Sequence, residues 1–267
     1  MTTITHKHRT ETLESQAKRK PVNKATPYLV GIGIIILWQL TVVILRVPEY
    51  VVPTPTRVAA AFVENADILW RNLQPTVIES LAGFVIGNVV AFVFAVIFVH
   101  SKTINGALMP IAVFVQTIPI IAIAPILVIL LGTGYSSKIV IAALISFFPT
   151  LVNSVRGLNA VNDRELELMR ILSATRWEIF TRVRLYACVP YLFSALRITA
   201  TSAVIGAIVA EWVGSQAGLG YLIIQTTFNY QVPLLYATMI LSSLYALLLF
   251  GLVGLVEKRV VYWKATQ

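Results

Sequence analysis

The sequence predicts an all-α integral membrane protein, and three observations carry that prediction. Hydrophobic residues make up 57% of the chain and charged residues only 12%, with a mean hydropathy of +0.80, far outside the soluble range. Stretches 28–45, 80–100, 103–135, 139–155 and 232–256 carry no Asp, Glu, Lys or Arg, and 187–210 is interrupted only by Arg197. Each is long enough to cross a bilayer core, which takes about 20 apolar residues and somewhat fewer at the limit. The runs are continuous rather than alternating, so they read as helices and not as strands of a closed barrel. Six transmembrane helices are expected.

Taken in order, the chain begins with a polar, basic tail over 1–26. It is too long and too polar for a signal peptide, and the apolar span that follows ends without a small-residue cleavage site, so the first helix is expected to be retained. Orientation follows from Lys and Arg. With the N-terminus cytosolic, 16 of the 21 basic residues fall inside, Arg46, Arg57, Arg71 and Lys138 fall outside, and Arg197 lies within a helix. That bias puts both termini in the cytosol. It also accounts for the net charge of +9 without nucleic acid, although the basic tail could meet anionic headgroups. The organisation is thus a tail over 1–26, a transmembrane domain over 27–260 with a cytosolic loop at 161–186, and a tail over 261–267.

Between the first two spans, Val52-Pro-Thr-Pro-Thr56 precedes a short helix that Thr54 or Thr56 can cap, with Val58, Phe62, Ile68 and Leu69 on its apolar face at the outer interface. Gly83-Phe-Val-Ile-Gly87 permits close helix approach, either inside the subunit or at a dimer seam. The run 103–135 exceeds one crossing and should bend near Pro119 and Pro125. Segment 211–231 is too apolar for a free loop, yet Gly214, Gly218 and Gly220 interrupt it. It reads as a re-entrant turn near the outer mouth.

Enzyme signatures fail. Gly132-Thr-Gly-Tyr-Ser-Ser-Lys138 lacks the Gly and the Ser/Thr that a Walker A loop needs at 137 and 139, and reads as a turn. His6, His8 and His100 have no companion ligands for a metal. Cys188 has no disulfide partner and is expected to pack. No catalytic, cofactor or metal residues are assigned. The polar groups inside the spans are Gln39, Asn88, Gln116, Thr117, Ser146, Thr150, Asn153, Arg197, Ser202 and Glu211, with no buried carboxylate chain for proton relay. Gln116, Thr117 and Pro119, at the predicted break, are candidates for lining a pathway, with ordinary packing as the alternative. Arg197 is expected to snorkel inward. Glu211, with Gly218 and Gly220, is the candidate latch or gate of the outer turn.

The most informative segment is the cytosolic loop, where ten charged side chains fall between Arg156 and Arg184. Asn162 with Glu165, and Thr175 with Glu178, have the spacing of capping boxes. Two short helices should therefore meet at Ser173-Ala174. The first would carry Leu166, Met169 and Leu172 on one side, the second Trp177, Phe180 and Arg184. A pair this small cannot bury a core alone, so its apolar stripe must meet the membrane helices, the inner leaflet or a partner.

At this loop the sequence resembles the membrane subunits of binding-protein-dependent ABC importers. These carry a Glu-Ala-Ala motif, three further residues and a glycine, followed downstream by Leu-Pro. Here Glu167-Leu168-Met169 takes the first part, Ser173 the glycine and Leu185-Tyr186 the Leu-Pro. Glu167 matches, whereas Leu168, Met169, Ser173 and Tyr186 depart. Serine at a left-handed turn costs about 1 kcal/mol unless the turn is reshaped. The resemblance extends over about residues 28–260. Val52-Pro-Thr-Pro-Thr56, Gln116-Thr-Ile-Pro119, Gly132-Thr-Gly134 and Ala210-Glu211 with Gly218-Leu-Gly220 look like the branch handling nitrate, sulfonates, taurine, riboflavin and thiamine-precursor pyrimidines. Ala210-Glu-Trp-Val-Gly214 followed by Ala217-Gly-Leu-Gly-Tyr221 looks closest to its pyrimidine-type members.

The resemblance implies a type I importer fold in the bacterial cytoplasmic (inner) membrane, a homodimer of such subunits, two cytosolic ABC ATPase subunits and an extracytoplasmic substrate-binding protein. ATP and Mg would belong to the ATPase, so this chain is not expected to be an enzyme or to hold a cofactor. Glu167, Leu168, Met169, Ser173, Ala174, Thr175, Arg176 and Trp177 would form the ATPase-coupling surface. The competing class, a self-sufficient six-helix channel or secondary carrier, would need an internal repeat or buried ionisable residues.

Overall fold

A computed structural model describes residues 26–262, and all regular structure among them is helical. The tail residues 1–25, with His6 and His8, and residues 263–267 lie outside the described residues. Helix α1 spans Thr26–Ile44, α2 Pro55–Glu64, α3 Ala66–His100, α4 Lys102–Gln116, α5 Ile120–Leu131 and α6 Tyr135–Leu158. Then come α7 (Asp163–Ile171) and α8 (Arg176–Ile179). A π-helical turn, Phe180–Arg184, leads into α9 (Leu185–Glu211), and α10 (Leu219–Phe228) and α11 (Val232–Val260) complete the fold.

Four helical runs are long and apolar enough to cross a membrane: α3, α6, the continuous Arg176–Glu211 run and α11. The α4–α5 pair makes a fifth if it is one span. The expected count of six is reached only if the shorter apolar helix α1 also crosses. The α4–α5 pair bends by 95°. The break falls at Thr117–Pro119, where proline removes a donor and disfavours helical backbone at the residue before it. The bend expected near Pro125 is absent, because Pro125 lies within α5.

Thr54 caps α2, its hydroxyl accepting from the Arg57 amide at 3.3 Å, and Pro55 occupies the first turn. Val58 and Ala61 of α2 pack against Leu222, Leu234 and Ala237. Leu69 joins that cluster but belongs to α3, and Ile68 faces outward, so the apolar face expected for one surface helix is divided between two. At 35 residues α3 is about 52 Å long, well beyond a hydrocarbon core of about 30 Å, so its first turns project from it.

Helix α6 is the spine, with α3 against one side and α9 against the other. Lipid supplies no hydrophobic drive between helices, so backbone proximity through small residues does the packing. A Cβ at Gly87 would lie 2.9 Å from the Ala143 Cα, and one at Gly83 2.9 Å from the Ile139 carbonyl oxygen. The Gly83–Gly87 pair therefore packs inside the subunit. On the other side of α6, a Cβ at Gly206 would meet the Ile145 Cδ1 at 2.8 Å. Cys188 is buried among Leu151, Val155, Leu158 and Phe180, in the packing role expected of it. A polar knot ties the three helices together: Asn88 of α3 accepts from Thr150 of α6 and, at 3.0 Å, from Thr199 of α9.

Candidate functional site

Three places hold the candidate residues. The coupling loop is built from two short capped helices. Asn162 caps α7 by accepting from the Arg164 amide at 3.2 Å, a single cap rather than the box expected with Glu165. Thr175 and Glu178 form a full capping box. The Thr175 amide and hydroxyl donate to the Glu178 carboxylate at 2.8 and 2.9 Å, which holds that carboxyl below its ordinary value.

Between the two helices Ser173 is left-handed, with φ 54°. The Ala174 amide donates back to the Met169 carbonyl and the Ser173 amide to the Arg170 carbonyl, each at 2.9 Å. This pair of bonds is a Schellman turn, with Ser173 where glycine is preferred.

The cap geometry fixes which side chains point out. Leu166 and Met169 are half-buried toward the bundle, while Leu168, Ile171 (75% exposed) and Leu172 face away, joined by Trp177 (70% exposed). The stripe drawn from the sequence is thus split, with Leu166 and Met169 on the bundle side and Leu172 and Trp177 on the outward one. Phe180 is buried, its ring 5.7 Å from that of Trp177 and 5.1 Å from that of His100. This aromatic file links α8 to the end of α3, and the adjoining π-helical turn carries it into α9. Such turns recur where a helix serves function.

The second place is a cavity of about 440 Å³ at the α4–α5 break. Gln116, Thr117 and Pro119 line it, with Phe148 and Pro149 of α6 and Ser202 of α9. The Thr117 hydroxyl donates to the Phe114 carbonyl at 2.7 Å and that of Ser202 to the Ile198 carbonyl at 3.0 Å.

The third place lies at the end of the bundle opposite the coupling loop. Glu211 does not reach the cavity. Its Oε1 accepts from the Thr76 hydroxyl at 2.6 Å and its Oε2 from the Gly220 amide at 2.5 Å. The Leu219 amide donates to Thr76 and the Gly218 amide to Asn72, at 2.9 and 3.0 Å. Gly218, at φ 120°, leaves no room for a Cβ beside the Glu211 carboxylate, and a Cβ at Gly220 would sit 2.9 Å from Oε2. The expected re-entrant turn is therefore a tight turn followed by helix α10, held to α3 and α9 by one carboxylate.

This place overturns one expectation, the absence of buried carboxylates. Lys138, which the charge bias places on the outer side, is 1% exposed and donates to the Thr133 carbonyl. Glu79 (3% exposed) of α3 and Glu211 (1% exposed) of α9 are both buried, near enough to Lys138 to feel its charge. The helical spacing Thr76, Glu79, Ser80, Gly83 and Gly87, all on the buried stripe of α3, is the sequence signal for Glu79. Arg197 does not simply snorkel. It pairs with Glu257 at 3.3 Å and lies over the Phe250 ring.

Comparison with known proteins fits this architecture. The inward-facing MetNI methionine ABC transporter has a similar fold, with a TM-score of 0.58 at 21% identity, covering 75% of this chain and 96% of that one. The riboflavin transport system permease RibX of Chloroflexus aurantiacus is 31% identical over 235 residues, 87% of this chain and 88% of that protein. A probable ABC transporter permease of Haemophilus influenzae is 36% identical over 224 residues, 84% of this chain and 91% of its own. Residues 83–262 match the model of the binding-protein-dependent transport system inner membrane component, and the chain belongs to that family as the permease subunit of an ABC importer.

Proposed function

We propose that this permease forms the substrate pathway as a homodimer in the bacterial cytoplasmic membrane, with both termini cytosolic, and is driven by a pair of ABC ATPase subunits docked on the loop 161–186. An extracytoplasmic binding protein delivers a small organic solute, of the class of thiamine-precursor pyrimidines, riboflavin, sulfonates or taurine. The likeness to RibX supports this range. ATP and Mg act in the ATPase, outside this chain.

The observation that carries the coupling role is the outward apolar face of Leu168, Ile171, Leu172 and Trp177 on a doubly capped helix pair. Apolar side chains on an otherwise charged loop favour a protein partner over water. Glu167 supplies a polar contact at the edge, while Met169, Ser173, Ala174 and Thr175 set the turn and Arg176 opens α8. Closure of the ATPase pair then moves α8, and through Trp177, Phe180 and His100 moves α3 and α9 as rigid bodies. Gln116, Thr117 and Pro119 line the pathway at the α4–α5 break, and Glu211 with Gly218 and Gly220 holds the far end of the bundle.

Purification of the tagged chain in mild detergent tests the docking role. A stoichiometric ATPase bearing a Walker A motif, lost on Glu167→Arg while the permease stays folded, is the expected result. A chain that purifies alone under conditions preserving a known importer complex would overturn it.

A further inference from the structure

A second cavity, of about 460 Å³, lies behind the coupling helices, on the side toward the membrane-spanning bundle. One wall is the last turn of α3, Val99 and His100. The other is formed by Leu166, Arg170 and Ala174, then Arg176, Phe180 and Arg184. No carboxylate lines it. The ion pairs among the described residues, Arg57–Glu49 and Arg197–Glu257, involve none of its three arginines. The one hydrogen bond of the His100 ring, at Nδ1, is to the Val96 carbonyl, so its Nε2 is free for another partner. Three arginines lining one cavity with no carboxylate in its wall, at the end of a membrane-spanning helix, make an anion site with an apolar floor.

We propose that this cavity binds the phosphate of an anionic phospholipid, with the acyl chains running along α3. Position selects lipid over an acidic side chain of the ATPase. Leu166 and Arg170 lie one turn apart on the face of α7 that also carries the half-buried Met169, and Ala174 follows beyond the turn at Ser173. The exposed Leu168, Ile171, Leu172 and Trp177 occupy the other face. Basic pockets between helices at the cytosolic boundary recognise such headgroups, and guanidinium forks match phosphate oxygens. A bound headgroup would brace the coupling helices against α3, making force transmission dependent on lipid charge.

The test uses the full chain, with whatever subunits accompany it, in nanodiscs of phosphatidylcholine titrated with phosphatidylglycerol. Thermal stability and native mass spectrometry are the readouts. Phosphatidylglycerol should stay bound and raise the melting temperature of the wild type. Arg170→Gln/Arg176→Gln/Arg184→Gln should weaken its apparent affinity by about a hundredfold, at about one decade or less per arginine. The equal-charge control Arg156→Gln/Arg164→Gln/Arg259→Gln, at exposed cytosolic positions off the cavity, should stay within about threefold. If the triple variant fails to fold, Arg170→Gln alone should still lower affinity by about fivefold. Equal loss in both triple variants would refute the site in favour of diffuse membrane charge. Displacement of the lipid by inorganic phosphate at the same concentration would assign the cavity to a free anion. Lost ATPase retention with unchanged lipid binding would assign it to an acidic side chain of the partner, and either result overturns the proposal.

Discussion

Replacing Ser173 by glycine should make the coupling turn more stable. Ser173 sits at φ 54°, where a Cβ crowds the following carbonyl at a cost of about 1–2 kcal/mol. Glycine avoids that cost but loses about 0.5–1 kcal/mol of backbone entropy on folding. The net gain is about 1 kcal/mol, confined to the turn because Ser173 is exposed and packs on nothing central. The bond that reports it is the Ala174 amide to the Met169 carbonyl at 2.9 Å, since opening the turn breaks it. In Ser173→Gly, hydrogen exchange at Ala174 should slow by about fivefold, the factor that 1 kcal/mol represents. In Ser173→Val it should accelerate by at least as much, because a β-branched residue tolerates positive φ poorly. Exchange at Leu151, deep in α6, should be the same in all three proteins. Unchanged or faster exchange at Ala174 in the glycine variant would refute the backbone-strain argument.

Removing the buried ammonium by Lys138→Met should lower the melting temperature, because the buried Glu79 and Glu211 lose the nearby positive charge. Thermal unfolding in detergent measures this, and the double variant Lys138→Met/Glu79→Gln should recover part of the loss. No recovery would show that Lys138 acts through packing instead. Gly220→Ala should cost about 1–3 kcal/mol by pressing a methyl group onto the Ile208 carbonyl and the Glu211 carboxylate, read in the same assay. Trp177→Ala should reduce ATPase retention on pull-down without moving the melting temperature by more than about 2 °C, since the indole is exposed. An equal loss of both would mean that the ring serves the fold.

The apolar runs gave the spans and the caps gave the coupling helices, because both are local properties: a run of hydrophobes, or a Thr three residues before a Glu. The break at Pro119 is local too. What the sequence did not disclose depends on where helices meet. Glu79 and Lys138 border apolar runs, where sequence alone does not tell whether a charge meets water or another helix. In the structure α3 continues as a helix from Ala66, which carries Glu79 into the packed stripe, and α6 starts early enough to bury Lys138. The same reasoning explains Leu172 and Trp177. Helical periodicity groups residues by face, but it does not say which face turns inward when the helix is nine residues or shorter.

The location of the buried charges bears on how the subunit moves. The Asn88 knot ties α3, α6 and α9 deep in the bundle, and the Glu211 carboxylate ties α9 to Thr76 of α3 and to Gly220 at one end. Buried polar contacts in a low-dielectric interior are costly to separate, so these helices resist sliding past one another. The α4–α5 pair shares neither tie; it packs on α6 and α9 through apolar contacts such as Ala124 with Ile141 and Ala210, beside the cavity at Gln116 and Thr117. On the proposed coupling, force arriving at Trp177 would meet a three-helix block that turns as one body against the break at Pro119. Cross-linking α4 to α6 should abolish transport, whereas cross-linking α3 to α6 should leave it intact. Loss of transport on tying α3 to α6 would show that the block itself deforms.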